Sequence, residues 1–154
     1  VTLTAPGPEL VVDGTFSVGT VPRQFSGTNC LLGINANRLA ANVSIALGTV
    51  TIVASDVITV TAPTVYRISF DYLATNASVQ YLNVSISDQS NTYYTTASNL
   101  NGTGTFVTYV QFPATSTQFT MVFTPTTLTT GSTNGSIPAG TVYMLDNVSV
   151  RKYI

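Results

Sequence analysis

The sequence predicts an all-β sandwich. Three observations predict it: apolar and polar residues alternate over most of the chain, turn-forming clusters interrupt the alternation at short intervals, and Thr, Ser and Asn dominate the polar positions. Period-two alternation is the signature of a half-buried strand, and short hydroxyl side chains suit strands and turns while adding little helical preference. With 154 residues the chain fits one domain and one core, because a domain of this size buries about 68–70% of its unfolded surface.

Residues 1–8, VTLTAPGP, place two prolines and a glycine ahead of Leu10-Val11-Val12. They read as an arm or linker feeding the first strand, with the domain running 9–154. Asn35 to Ala41 departs from the alternation: Arg38, Leu39, Ala40 and Ala41 together have the composition of one helical turn, which is marginal in isolation. Tyr66, Ile68, Phe70 and Tyr72 then fall on one strand face, with Arg67, Ser69 and Asp71 on the other. The pattern returns at Leu82, Val84 and Ile86, at Phe106, Val110 and Phe112, and at Phe119, Met121 and Phe123; these are the predicted core faces. Turn chemistry separates them at Ala62-Pro63, Ser87 to Asn91, Asn101 to Gly104 and Pro113 to Thr115. The spacing predicts about nine or ten strands. Thr124 to Gly140 is longer than most hairpin connections and is either a contact element or a surface loop.

Only five cationic and six acidic side chains are present, 7% of the chain, against about 25% in an ordinary domain. The surface is therefore expected to be neutral and hydrogen-bonding. A net charge of −1 without a basic cluster removes the electrostatic attraction behind most nucleic-acid binding. No apolar run approaches the ~20 residues of a membrane span, and the opening residues lack the charged-then-apolar pattern of a signal peptide, so a soluble protein without membrane insertion, its targeting segment absent or already removed, is expected. The single Cys30 forms no disulfide within the chain and, beside Leu31 and Leu32, reads as a buried, inert thiol. Asn42, Asn76, Asn83, Asn101, Asn134 and Asn147 each begin an Asn-X-Ser/Thr sequon, which in a eukaryotic secretory protein would invite glycans, while several are expected by chance in so Ser/Thr-rich a chain.

Three segments carry a family resemblance. Glu9-Leu-Val-Val-Asp-Gly-Thr-Phe16 resembles the opening strand of carbohydrate-binding modules of the family 4, 9 and 22 type. Val60 to Phe70 is similar to their central strand, a turn followed by Tyr-X-apolar-Ser-Phe, and Val142-Tyr-Met-Leu-Asp-Asn-Val-Ser-Val150 resembles their final strand. The ordered trio implies a galactose-binding-like jelly roll. The family often holds a structural calcium with acids of the first strand and an Asp of the last. Asp146 matches that last acid, but Thr15 and Ser17 stand at the first-strand positions, so the resemblance implies a weakened calcium site; the alternative role for Asp146 is capping amides at a strand bulge.

Sugar recognition in the family stacks aromatic rings, usually Trp, on pyranose faces. This chain has no Trp, and Tyr is the available substitute. Tyr81, Tyr93, Tyr94 and Tyr109 fall on polar faces or beside a turn and are the candidate platforms. Arg67, Asp71, Asn83 and Gln111 are the candidate polar contacts if they line one concave face; otherwise Arg67 and Asp71 simply pair on a solvated sheet. Catalysis is not expected: there is no His to serve as general base, the six carboxylates show no pairing signal for glycosidase chemistry, and no glycine-rich phosphate loop is present. Two functions follow. One is a structural or adhesive surface module, of a virion or cell surface, whose partners are like subunits or neighbouring structural proteins. The other is a carbohydrate-binding module of a larger glycan-active protein. Both place the chain outside the cell or on a surface.

Overall fold

The fold was obtained as a computed structural model, in which residues 6–19, 24–43, 52–61, 64–74, 81–88, 93–100, 102–126 and 142–153 are described. Twelve strands follow in chain order: β1 (Pro6–Glu9), β2 (Phe25–Thr28), β3 (Cys30–Asn35), β4 (Arg38–Val43), β5 (Ile52–Ser55), β6 (Ile58–Thr59), β7 (Thr64–Ala74), β8 (Tyr81–Asp88), β9 (Tyr93–Leu100), β10 (Gly102–Phe112), β11 (Gln118–Thr126) and β12 (Val142–Tyr153). They form two antiparallel six-stranded sheets. The front sheet runs β10-β7-β12-β4-β3 with β1 also on β12; the back sheet runs β2-β5-β11-β8-β9 with β6 also on β11. Among the described residues there is no helix long and apolar enough to cross a membrane.

The alternating faces meet between the sheets. Tyr66, Ile68 and Phe70 of β7 are buried, as are Leu82, Val84 and Ile86 of β8 and Phe119, Met121 and Phe123 of β11. Phe70 and Phe123 contact edge-to-face with centroids 5.0 Å apart, and Phe112 stacks on Phe119 at 5.0 Å. These rings join front to back with the geometries aromatic pairs favour. Cys30 is buried in the same core.

Four local expectations differ from the structure. Asn35 to Ala41 forms a β-hairpin, not a helical turn: Asn35 pairs with Arg38, and Ala36 and Asn37 both take positive φ, at 50° and 59°. That is the backbone of a tight type I′ turn, whose twist matches the flanking strands. The first strand begins inside the expected arm and ends at the first residue of the expected domain, with Pro6 and Glu9 paired to Tyr153 and Arg151 of β12. Gly102 to Gly104 belongs to β10, which begins directly after Asn101. The strand count exceeds the expected nine or ten because short pieces such as β1 and the two-residue β6 carry too few positions to show a period. Of the Thr124 to Gly140 stretch, Thr124 to Thr126 extends β11, and 127–140 lies outside the described residues. So does the expected turn at Ala62-Pro63.

The start of the chain is fastened to its last strand by one carboxylate. Glu9 Oε1 accepts the amides of Leu10 (3.1 Å), Val11 (3.1 Å) and Val150 (2.7 Å), while Oε2 accepts the Ser149 hydroxyl (2.5 Å) and Arg151 Nε (3.2 Å). Partial burial raises its pKa, but these donors outweigh that and hold it below the ordinary carboxylate value. The next turn seats Phe16 in the core, edge-on to Phe25. Gly14 is required there. Its carbonyl accepts the Val148 amide at 2.9 Å, and an added Cβ would stand 1.9 Å from the Val148 carbonyl oxygen.

Candidate functional site

The outward positions of the front sheet bring together four of the eight candidate glycan-binding residues. Tyr109 is opposite Arg67 in the β10–β7 register, Gln111 is opposite Val65, and Thr105 is opposite Asp71. Burial alternates along β10, leaving Val107, Tyr109 and Gln111 exposed on this face while Val110 and Phe112 point into the core. The other four do not join them. Tyr81 and Asn83 lie on β8, and Tyr93 and Tyr94 on β9, both in the back sheet; their side chains are outside the described residues. Period two told which residues share a strand face, but gave no sign of which sheet each strand joins.

At one end of the face is an aromatic corner. Tyr109 is 54% exposed, and its ring meets that of Tyr153 perpendicularly at 5.6 Å. Tyr153, not among the sequence candidates, lies on β12 opposite Val65. Its signal was only its place in an alternation at the chain's end. Arg67 Nη1 donates to Ser69 Oγ at 2.9 Å, and among the described residues it pairs with no carboxylate. The Arg67–Asp71 pairing does not form: four residues of extended strand separate their Cα atoms by about 13 Å.

At the other end, Asp71 and Asp146 are directly opposite on β7 and β12. No local pattern signals this pairing, since 75 positions separate the two in the chain. Thr105 Oγ1 donates to Asp71 Oδ1 (2.6 Å) and Asn147 Nδ2 to Asp71 Oδ2 (2.8 Å). Asp146 Oδ1 accepts the Asn147 amide at 2.8 Å, where the register shifts and Asn147 takes a φ of 48°. Its Oδ2 is 3.9 Å from Arg38 Nε. Arg38, Asp71, Tyr72, Thr105, Met144 and Asp146 surround an open pocket of about 190 Å³.

These donors do not fit a calcium ion, which takes six to eight oxygens. Asp146 is engaged by an amide and faced by a guanidinium, and Thr15 and Ser17 contact each other through their hydroxyls at 3.3 Å. Among the described residues no three acidic, His or Cys side chains gather as a metal site.

No protein-family model matches the sequence, and no curated protein does. Solved structures do. A family 4 carbohydrate-binding module shares 16% identity with a TM-score of 0.64, over 92% of this chain and 99% of that one. An arabinose-bound α-L-arabinofuranosidase is matched at 13% identity and a TM-score of 0.63, over 94% of this chain. A Clostridium thermocellum xylanase with family 22 binding and family 10 hydrolase modules, complexed with xylohexaose, is matched at 12% and 0.61, over 95%. The chain spans 26% and 28% of those two enzymes' lengths. At such identities the likeness establishes architecture: this chain has the jelly-roll fold of the carbohydrate-binding modules.

Proposed function

We propose that the chain is a non-catalytic, adhesive surface module that binds a glycan through the outer face of its front sheet. The observation that carries this reading is the aromatic corner, where exposed Tyr109 is braced by Tyr153 and flanked by Arg67 and Gln111. An apolar ring face beside hydrogen-bonding side chains matches a sugar, which is apolar on the faces of its ring and polar at its edge. The fold neighbours support it, since one is itself a carbohydrate-binding module and another carries such a module beside a hydrolase with bound xylohexaose.

In this reading Asp71 and Asp146 serve recognition and not acid–base chemistry. The module works without a metal, and its place is outside the cell or on a surface. The test is calorimetric titration with soluble polysaccharides and an oligosaccharide array. Binding is expected, with a loss of at least tenfold in Tyr109→Ala and retention in Tyr109→Phe, which keeps the ring. A wild-type chain that binds no glycan, or one indifferent to Tyr109→Ala, overturns this reading.

A further inference from the structure

The front face concentrates charge in a chain that has little. Glu9, Arg38, Arg67, Asp71, Asp146 and Arg151 are all on it or at its margin, out of eleven charged residues in the protein. They are also placed in an unfavourable way. Arg67 is directly opposite Arg151, and Asp71 directly opposite Asp146, whereas like charges facing across strands destabilise a sheet. Arg151 is relieved by Glu9 at 3.2 Å and Asp146 loosely by Arg38 at 3.9 Å. Arg67 and Asp71 have only neutral partners among the described residues.

Read across the strands, the charges form two rows. One runs Arg67 on β7, Arg151 on β12 and Glu9 on β1; the other runs Asp71 on β7, Asp146 on β12 and Arg38 on β4. β1 and β4 both lie on the side of β12 away from β7. The first row is therefore plus, plus, minus and the second minus, minus, plus, with the uncharged Ser69 and Ser149 pair between them.

We infer that this face self-associates with a second copy of the chain about a two-fold axis lying in the interface, perpendicular to the strands and passing over Ser69 and Ser149. That operation reverses the strand direction and keeps the strand order. It lays Arg67 over the second copy's Asp71, Arg151 over its Asp146 and Glu9 over its Arg38. Every like-charge pair then meets its opposite, as isologous interfaces require. Val107, 41% exposed, lies in the middle row on β10 beside Ser69, where an apolar side chain gains most from being covered. Five strands at ~4.8 Å and the eleven residues of β7 at ~3.3 Å bound the face at about 24 by 36 Å, close to the roughly 800 Å² per partner of a specific interface.

The test is light scattering after size exclusion, at high protein concentration and low salt. The wild type is expected at twice the 16.2 kDa chain mass, returning to single mass as salt screens the rows. Arg67→Asp and Asp71→Arg should each be monomeric, because each sets like charges against each other across the axis. Mixed in equal amounts they should dimerise, since both crossed contacts between positions 67 and 71 become attractive while the remaining contacts of the two rows stay as they are. A monomeric wild type at low salt, a dimer indifferent to salt, single variants that remain dimeric, or folded variants whose mixture stays monomeric would each overturn the inference. The salt titration uses the wild type alone and decides the question even if a variant does not fold. The pairing sets Tyr109 against the second copy's Thr105, so glycan and second copy compete for this face: a monomer that binds glycan sinks the dimer and leaves the glycan reading standing, a dimer that binds none does the reverse, and a dimer that bound glycan does not dissociate overturns this placement of the axis.

Discussion

Replacing Glu9 by Gln keeps the side chain's shape and one acceptor oxygen but removes its charge. Hydrogen bonds to a charged acceptor contribute roughly 1.5–3 kcal/mol, against 0.5–1.5 for neutral ones. Five donors converge on this carboxylate, but it is partly exposed, so solvent screens much of the difference. A loss of about 1–2 kcal/mol at pH 7 is expected. For a chain of this size that is a fall in Tm of about 2–8 °C. The sign of the pH dependence follows from the lowered pKa. A carboxylate whose folded pKa lies below its ordinary value of 4.5 contributes fully above that value, and the contribution disappears as pH falls through the folded pKa. Urea unfolding of wild type and Glu9→Gln should therefore differ at pH 7, and the gap should begin to close as pH falls below 4.5 and vanish below the folded pKa. A gap that is absent at pH 7, or one that persists unchanged at pH 3, would refute the clamp.

Gly14→Ala sets a Cβ against the Val148 carbonyl oxygen; a loss of about 3 kcal/mol is expected by chemical denaturation, and a stability within error of wild type would contradict the close approach. The double change Ala36→Asn with Asn37→Gly gives the β3–β4 turn the residues its positive φ angles favour. It should raise stability by about 1 kcal/mol, and a decrease would show that the turn has another conformation. Burial raises the Cys30 thiol pKa, so a disulfide reagent at pH 8 should leave the folded protein unmodified over minutes and label one equivalent after unfolding; rapid labelling of the folded chain would place the thiol at the surface.

The core was legible because it is a local property. Tyr66, Ile68 and Phe70 alternate with Arg67 and Ser69, and a strand sends alternate side chains to opposite faces wherever it sits. What alternation does not carry is the neighbour. β7 lies between β10 and β12, and β12 comes from the far end of the chain, so no window of sequence shows Arg67 beside Arg151. The hairpin at Ala36-Asn37 was hidden for a different reason: neither residue is the glycine that usually marks positive φ, and the Leu-Ala-Ala run after it carries a helical preference that pairing with β3 overrides. The glycan candidates split between sheets because β8 and β9 lie in the back sheet and β7 and β10 in the front, an assignment that alternation along a strand does not announce.

Pro6 and Tyr153 face each other as the outermost pair of the β1–β12 ladder. A pull applied through the two ends of the folded unit therefore does not shear this ladder, in which case all its hydrogen bonds would resist together. It opens it from the tip, one pair after another, until the load reaches the knot of donors around Glu9. Under tension the first strand should peel away at low force while the sandwich behind it stays intact, so the module would stretch by a few residues before it fails.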